Sequence, residues 1–91
     1  MKNKVLLNVL LPATQRTYEF RVPLDLTIEE GARLMSRILA TREQVRYAAT
    51  EDVDLMLLAG EGEGAVLNPR ETFKFYVSHG QLVDGMPAAL V

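Results

Sequence analysis

The 91-residue sequence has no cysteine, no tryptophan and a single histidine. Without cysteine there is no disulfide framework, thiolate metal site, thiol nucleophile or cysteine-held iron–sulfur cluster, a composition that suits the cytoplasm. There is no basic excess either: twelve acidic against ten basic side chains leave a net charge of −2. Nucleic acid and anionic lipid are therefore not expected partners. Long apolar runs are also missing, and nothing approaches the ~20 residues of a membrane-spanning helix. The opening MKNKVLLNVLLPAT has some look of a secretory leader. Its apolar run is broken by Asn8, ends at Pro12 and continues into a strand pattern, so no leader is expected. The reading is a cytoplasmic, soluble chain without direct membrane insertion.

What remains is ordinary globular composition, 48% hydrophobic and 24% charged, enough for one domain over residues 1–91 with one core. Thr27 to Ala40 predicts an amphipathic helix. The Thr27 hydroxyl can accept the Glu30 N–H while the Glu30 carboxylate reaches back, a capping box. Ile28, Ala32, Met35 and Leu39, joined by Leu34 and Ile38, recur at helical spacing. A lone helix of this length is marginal in water, so its stripe must lie on a sheet. Gly31 inside it implies close packing of the helix backbone on that sheet. Arg33 and Arg37 lie within reach of Glu29 and Glu30, which favours a salt-bridged face over a nucleic-acid surface made with Arg42 and Arg46.

Lys4 to Leu11 and Arg16 to Val22 alternate as strands joined by the turn Pro12-Ala13-Thr14-Gln15, giving a β-hairpin. Tyr18, Phe20 and Val22 face inward. Thr41 to Asp52 is a polar connection with a short helical turn near Glu43 to Tyr47. Asp54 to Ala59 predicts a strand, Gly60 to Gly64 a turn, and Ala65 to Leu67 a short edge strand. Glutamates between the glycines, with no lysine following, exclude a phosphate-binding loop. Thr72 to His79 fits either a strand or a helical turn. Asp84-Gly85 signals a turn, and Ala88 to Val91 a closing strand.

The order strand, strand, helix, strand, short strand, loop, strand resembles the ubiquitin-like β-grasp plan. The segments V-L-L-N-V (5–9), T-Y-E-F-R-V-P (17–23), L-T-I-E-E (26–30), L-M-L-L-A-G (55–60) and Q-L-V-D-G-M-P-A-A-L-V (81–91) carry that likeness. The expected fold is therefore α+β, a mixed sheet of four to five strands wrapped on one helix. Pro87 is expected to delay or disturb the last strand, because proline cannot donate to a sheet ladder. T-Y-x-F-x-V-P followed by x-x-L-T-I, with the D-G tail, resembles the YukD/EsaB group associated with bacterial type VII (ESX/WXG100) secretion. That resemblance implies a non-enzymatic accessory or regulatory protein, acting by protein–protein contact in the cytoplasm, with docking on a membrane secretion complex allowed. Ubiquitin and the sulfur carriers use a C-terminal Gly-Gly. This sequence ends Ala88-Ala89-Leu90-Val91, and Val91 as the native end would exclude conjugation; a truncated carrier is the minor alternative.

No cofactor, metal or catalytic residue is expected. His79 has Ser78, Gly80 and Gln81 as neighbours, none of them an acidic orienter, and the spacing of Glu51, Asp52 and Asp54 fits no calcium loop. The expected working surface is apolar. With Val5, Leu7, Tyr18, Phe20, Met56 and Leu58 against the helix, Leu6, Leu10, Leu55 and Leu57 lie on the open sheet face, with Ala89 and Val91 nearby. A contiguous exposed apolar patch usually has a use. Three uses stand: a protein partner such as a secretion-system component, a homodimer or homo-oligomeric scaffold, or cover by the protein's own loops.

Overall fold

The computed structural model describes residues 3–91. Strand β1 (Lys4–Leu11) turns back through residues 12–15 into β2 (Arg16–Pro23), pairing antiparallel from Leu11↔Arg16 to Lys4↔Pro23. Gln15, at φ 58, supplies the left-handed corner of the turn. Helix α1 (Ile28–Arg42) follows, then β3 (Leu55–Leu57), the short helix α2 (Phe73–Ser78) and β4 (Met86–Leu90). The sheet order is β2-β1-β4-β3, with β4 parallel to β1 and antiparallel to β3. This is the mixed four-strand, one-main-helix α+β arrangement that the element order implies. Residues 65–67 contribute only an isolated bridge, Met56↔Val66, in place of the predicted short edge strand.

The capping box at the start of α1 forms as the sequence predicts. Glu30 N donates to Thr27 Oγ1 at 3.1 Å, and Thr27 N donates to Glu30 Oε1 at 2.9 Å. The buried stripe of α1 is Ile28, Ala32, Met35 and Leu39, facing Val5, Leu7, Val9 and Leu11 of β1 across one core. Each of these side chains larger than alanine contributes about 1.5–3 kcal/mol. Leu34 and Ile38 do not join it; both are 41% exposed, and the buried side of α1 extends instead to Gly31 and Ser36. Ser36 is accommodated there because its hydroxyl bonds to the Tyr47 hydroxyl at 2.6 Å and accepts from Thr50 N at 3.3 Å, tying the 43–54 connection to the helix.

One segment whose pattern fits two structures is decided, and two further expectations are corrected. Residues 73–78 are helical, because Thr72 caps Phe75 N at 3.1 Å and the i, i+3 pair Phe73 and Tyr76 buries together. Gly31 is accordingly packed against this second helix more than against the sheet: a methyl group there would overlap the Phe73 ring, while Val22 lies at 3.5 Å. Strand β4 begins at Met86, before Pro87. Pro87 turns its carbonyl toward Leu58 N (3.0 Å), so its missing N–H falls on the β3 side, beyond the last β3–β4 pair, Leu57↔Ala88. No ladder bond to β1 is lost.

Candidate protein-interaction face

Strand register decides which side chains reach the open face of the sheet. Residues paired directly across strands point the same way, so the buried series Val5, Leu7, Val9 and Leu11 carries Met86 and Ala88 with it. Ala88 and Leu90 pair with Leu57 and Leu55, which sends both leucines into the core. Leu55 and Leu57 are fully buried, 0% exposed, and are therefore not surface residues. The expectation that they lie on the open face is overturned. The strand DLMLLA is apolar at both parities, so its own sequence carries no sign of which parity is inside.

The open face instead presents Leu6, Asn8 and Leu10 from β1, Pro87 and Ala89 from β4, and Met56, with Leu58 in the same parity just beyond β3. Leu6, Leu10, Met56 and Leu58 are half-buried. Val66, bridged to Met56, extends the surface and is 53% exposed. Ala89 lies nearly covered at its centre, between its pair partners Leu10 and Met56. Val91 follows in the same alternation. It is half-exposed, and its backbone is held by two bonds to Asp54, at 2.9 and 3.0 Å. Of the expected surface residues, Leu6, Leu10 and Val91 are thus together on this face. Met56 and Leu58, expected against the helix, are here instead, and Val66 joins them from a segment for which the sequence predicted no face.

The Asp84-Gly85 turn anchors one end of this surface. Asp84 Oδ1 accepts from Leu6 N at 2.9 Å, and Gly85 N donates to Leu6 O at 2.9 Å. Gly85 holds φ at 86°, a left-handed geometry that a side chain disfavours. Asn8 Nδ2 adds a bond to Gly85 O at 3.3 Å. The turn therefore fixes where β4 starts against β1, and with it the placement of Pro87 and Ala89.

The arrangement is similar to several solved structures over nearly their whole length. A de novo design based on ubiquitin matches with a TM-score of 0.61 at 20% identity, covering 100% of this chain and 90% of the other. The ubiquitin-like domain of the Mycobacterium tuberculosis type VII secretion system protein ECCD1 matches at 0.66 and 12% identity, covering 97% of each chain. The chain has a ubiquitin-like fold. No known protein family and no curated protein matches the sequence.

Elsewhere on this ubiquitin-like domain several charged groups have close partners. Arg33 pairs with Glu29 at 2.8 Å, and the Arg42 guanidinium lies over the Tyr18 ring, 5.6 Å from its centre. Tyr18 donates its hydroxyl to Glu43 Oε1 at 2.7 Å, and Arg16 approaches the same carboxylate at 3.5 Å. His79 ends α2, with its ring on Phe75 and Nδ1 bonded to the Phe75 carbonyl at 2.7 Å. That contact engages the histidine in helix termination. Among the described residues, no three His, Asp or Glu side chains converge as a metal site, and no helix is long and apolar enough to cross a membrane.

Proposed function

We propose that this ubiquitin-like domain is a non-enzymatic protein-interaction module of a bacterial type VII secretion apparatus, acting in the cytoplasm. The observation that carries the interaction role is the open sheet face. There Leu10 and Met56 flank Ala89, Leu58 and Val66 adjoin Met56, and Leu6 lies farther along β1, all of them in part exposed to solvent except Ala89. Apolar side chains on such a face gain about 25 cal/mol for each Å2 of apolar surface that a partner removes from water. The secretion context is supported by the T-Y-x-F-x-V-P, L-T-I and D-G segments that resemble the YukD/EsaB group. The likeness to the ECCD1 domain is compatible with it, although at 12% identity it speaks for the fold.

The test is capture of the cytoplasmic domains of the secretion ATPase and its companion subunits by purified protein. Met56→Asp and Leu10→Asp each place a charge on the face without entering the core. Both variants are expected to lose capture while keeping a native circular-dichroism spectrum. Capture that is undiminished in both would reject this face, and no capture by the unaltered protein would reject the secretion assignment.

A further inference from the structure

The outer edge of β2 has a sequence that complements itself. In the sheet order β2-β1-β4-β3, β2 has a neighbour on one side only among the described residues. Leu6 turns its N–H to Asp84 and its carbonyl to Gly85, away from β2. Its partner Arg21 is therefore a non-hydrogen-bonded position, and by alternation so are Glu19 opposite Asn8 and Thr17 opposite Leu10. The backbone groups of Thr17, Glu19 and Arg21 consequently point outward from the free edge. An edge of this kind is a template for another strand unless its side chains forbid it.

Charged edge residues usually forbid pairing, but here the charges alternate in sign about Phe20. If two β2 strands meet antiparallel around a two-fold axis at Phe20, Glu19 of each copy lies opposite Arg21 of the other, and Tyr18 lies opposite Val22. Glu19 and Arg21 are then the hydrogen-bonded pair, and the two Phe20 side chains are a close non-hydrogen-bonded pair on the helix side. The neighbouring registers bring Glu19 onto Glu19, or Arg21 onto Arg21, and like charges directly opposite are unfavourable. Within one chain the two groups are only loosely associated, at 4.0 Å and more than half exposed, so both are free to turn to a second copy.

The helix side of this edge is apolar. Gly31 faces Val22 and Arg42 lies over Tyr18, so that flank of α1 overlooks β2. Leu34 and Ile38 stand on the same flank by helical spacing and are the exposed apolar residues of α1. Phe20, paired with buried Leu7 and so on the helix side of β2, is half-buried. We infer that two copies of this chain pair through their β2 edges, joining their sheets into one continuous eight-stranded sheet with Glu19–Arg21 ion pairs on one face and the two Phe20 rings on the other. The contact is isologous and closes at two copies, leaving the open face patch of each copy exposed.

The test is sedimentation velocity of the whole chain over a range of protein concentrations and salt. The unaltered protein is expected to show a concentration-dependent monomer–dimer equilibrium. Glu19→Arg alone and Arg21→Glu alone each bring like charges into contact twice, and each is expected to weaken dimerisation by about tenfold or more. An equimolar mixture of those two variants restores opposite charges across the edge and is expected to recover a heterodimer. Met56→Asp leaves the equilibrium unchanged, which separates this contact from the proposed partner face. Three results would overturn the inference. They are a monomer at millimolar concentration, a dimer equally strong in both charge variants, and a dimer abolished by Met56→Asp.

Discussion

The two faces of the sheet are built from the same strands, yet they carry different obligations. Toward α1, the positions of β1, β3 and β4 are constrained by burial: Val5, Leu7, Val9, Leu11, Leu55, Leu57, Ala88 and Leu90 share one interior with Ile28, Met35 and Leu39. On the opposite face, side chains of similar chemistry, Leu10, Met56 and Val66 among them, meet water over part of their surface. Apolar character alone therefore does not separate a structural leucine from a functional one. The difference is set by parity, one residue along a strand, because a shift of one position moves a side chain from core to surface.

The sharpest way to break the comparison is to place the same charge on adjacent residues. Leu57→Asp introduces a carboxylate into a fully buried site between Ala88 and the helix, at an expected cost of about 4 kcal/mol or more. A domain of this size has about 5–14 kcal/mol to lose, so that variant should give up a large share of its stability and unfold at a much lower urea concentration. Met56→Asp, one residue away, should cost about 1 kcal/mol. Urea titration followed by circular dichroism measures both. Equal losses would mean that the two parities are not the core and open faces described here.

A smaller effect is expected where α1 meets α2. In an exposed helix, Gly31→Ala would gain about 1 kcal/mol from backbone entropy and propensity. Here the added methyl overlaps the Phe73 ring, itself fully buried and unable to retreat into solvent. Overpacking of this kind costs about 1–3 kcal/mol, so the net sign should be destabilising. A rise in the urea midpoint would show that α2 shifts easily and is a looser element than the sheet beneath it.

These cases mark what the sequence made legible. The hairpin was readable because Tyr18, Phe20 and Val22 alternate with charged residues, so only one parity can be inside. The α1 cap was readable because Thr27 and Glu30 stand at the required spacing. By contrast, the parity of β3 depends on its pairing with β4, more than thirty residues later in the sequence. Leu34 and Ile38 fit a helical stripe by period, yet the core is narrower on that side because the sheet ends at β2, leaving them over its edge. The segment FKFYVS satisfies both periods. Its helix is decided by the Thr72 cap and by Phe73 N and Lys74 N donating to Leu26 and Leu24 carbonyls, contacts reaching across nearly fifty residues. Half of the candidate face was thus named from alternation, and the other half required a register that no local pattern encodes.

The weakest test concerns the surface end of α1, where electrostatics replace packing. The Glu30 carboxyl is held below its ordinary value of 4.5, chiefly by the hydrogen bond from the Thr27 backbone N–H and secondarily by the Thr27 hydroxyl, with desolvation acting in the opposite direction. Both contacts favour the ionised form. Because the folded pKa is the lower one, the unfolded chain takes up this proton first as pH falls. The added stability is fully present above the unfolded value and is lost as pH drops from about 4.5 through the folded value. Glu30→Gln keeps the shape of the capping box without the titrating charge. The stability difference between the unaltered protein and this variant should be constant at neutral pH and shrink through the acidic range. Since Glu30 is solvent-exposed, the change should be small beside that of Leu57→Asp, and it should come from the helix end alone. A difference that grows as pH falls would mean the Glu30 carboxyl is held above its ordinary value, and that the cap contributes through its neutral form.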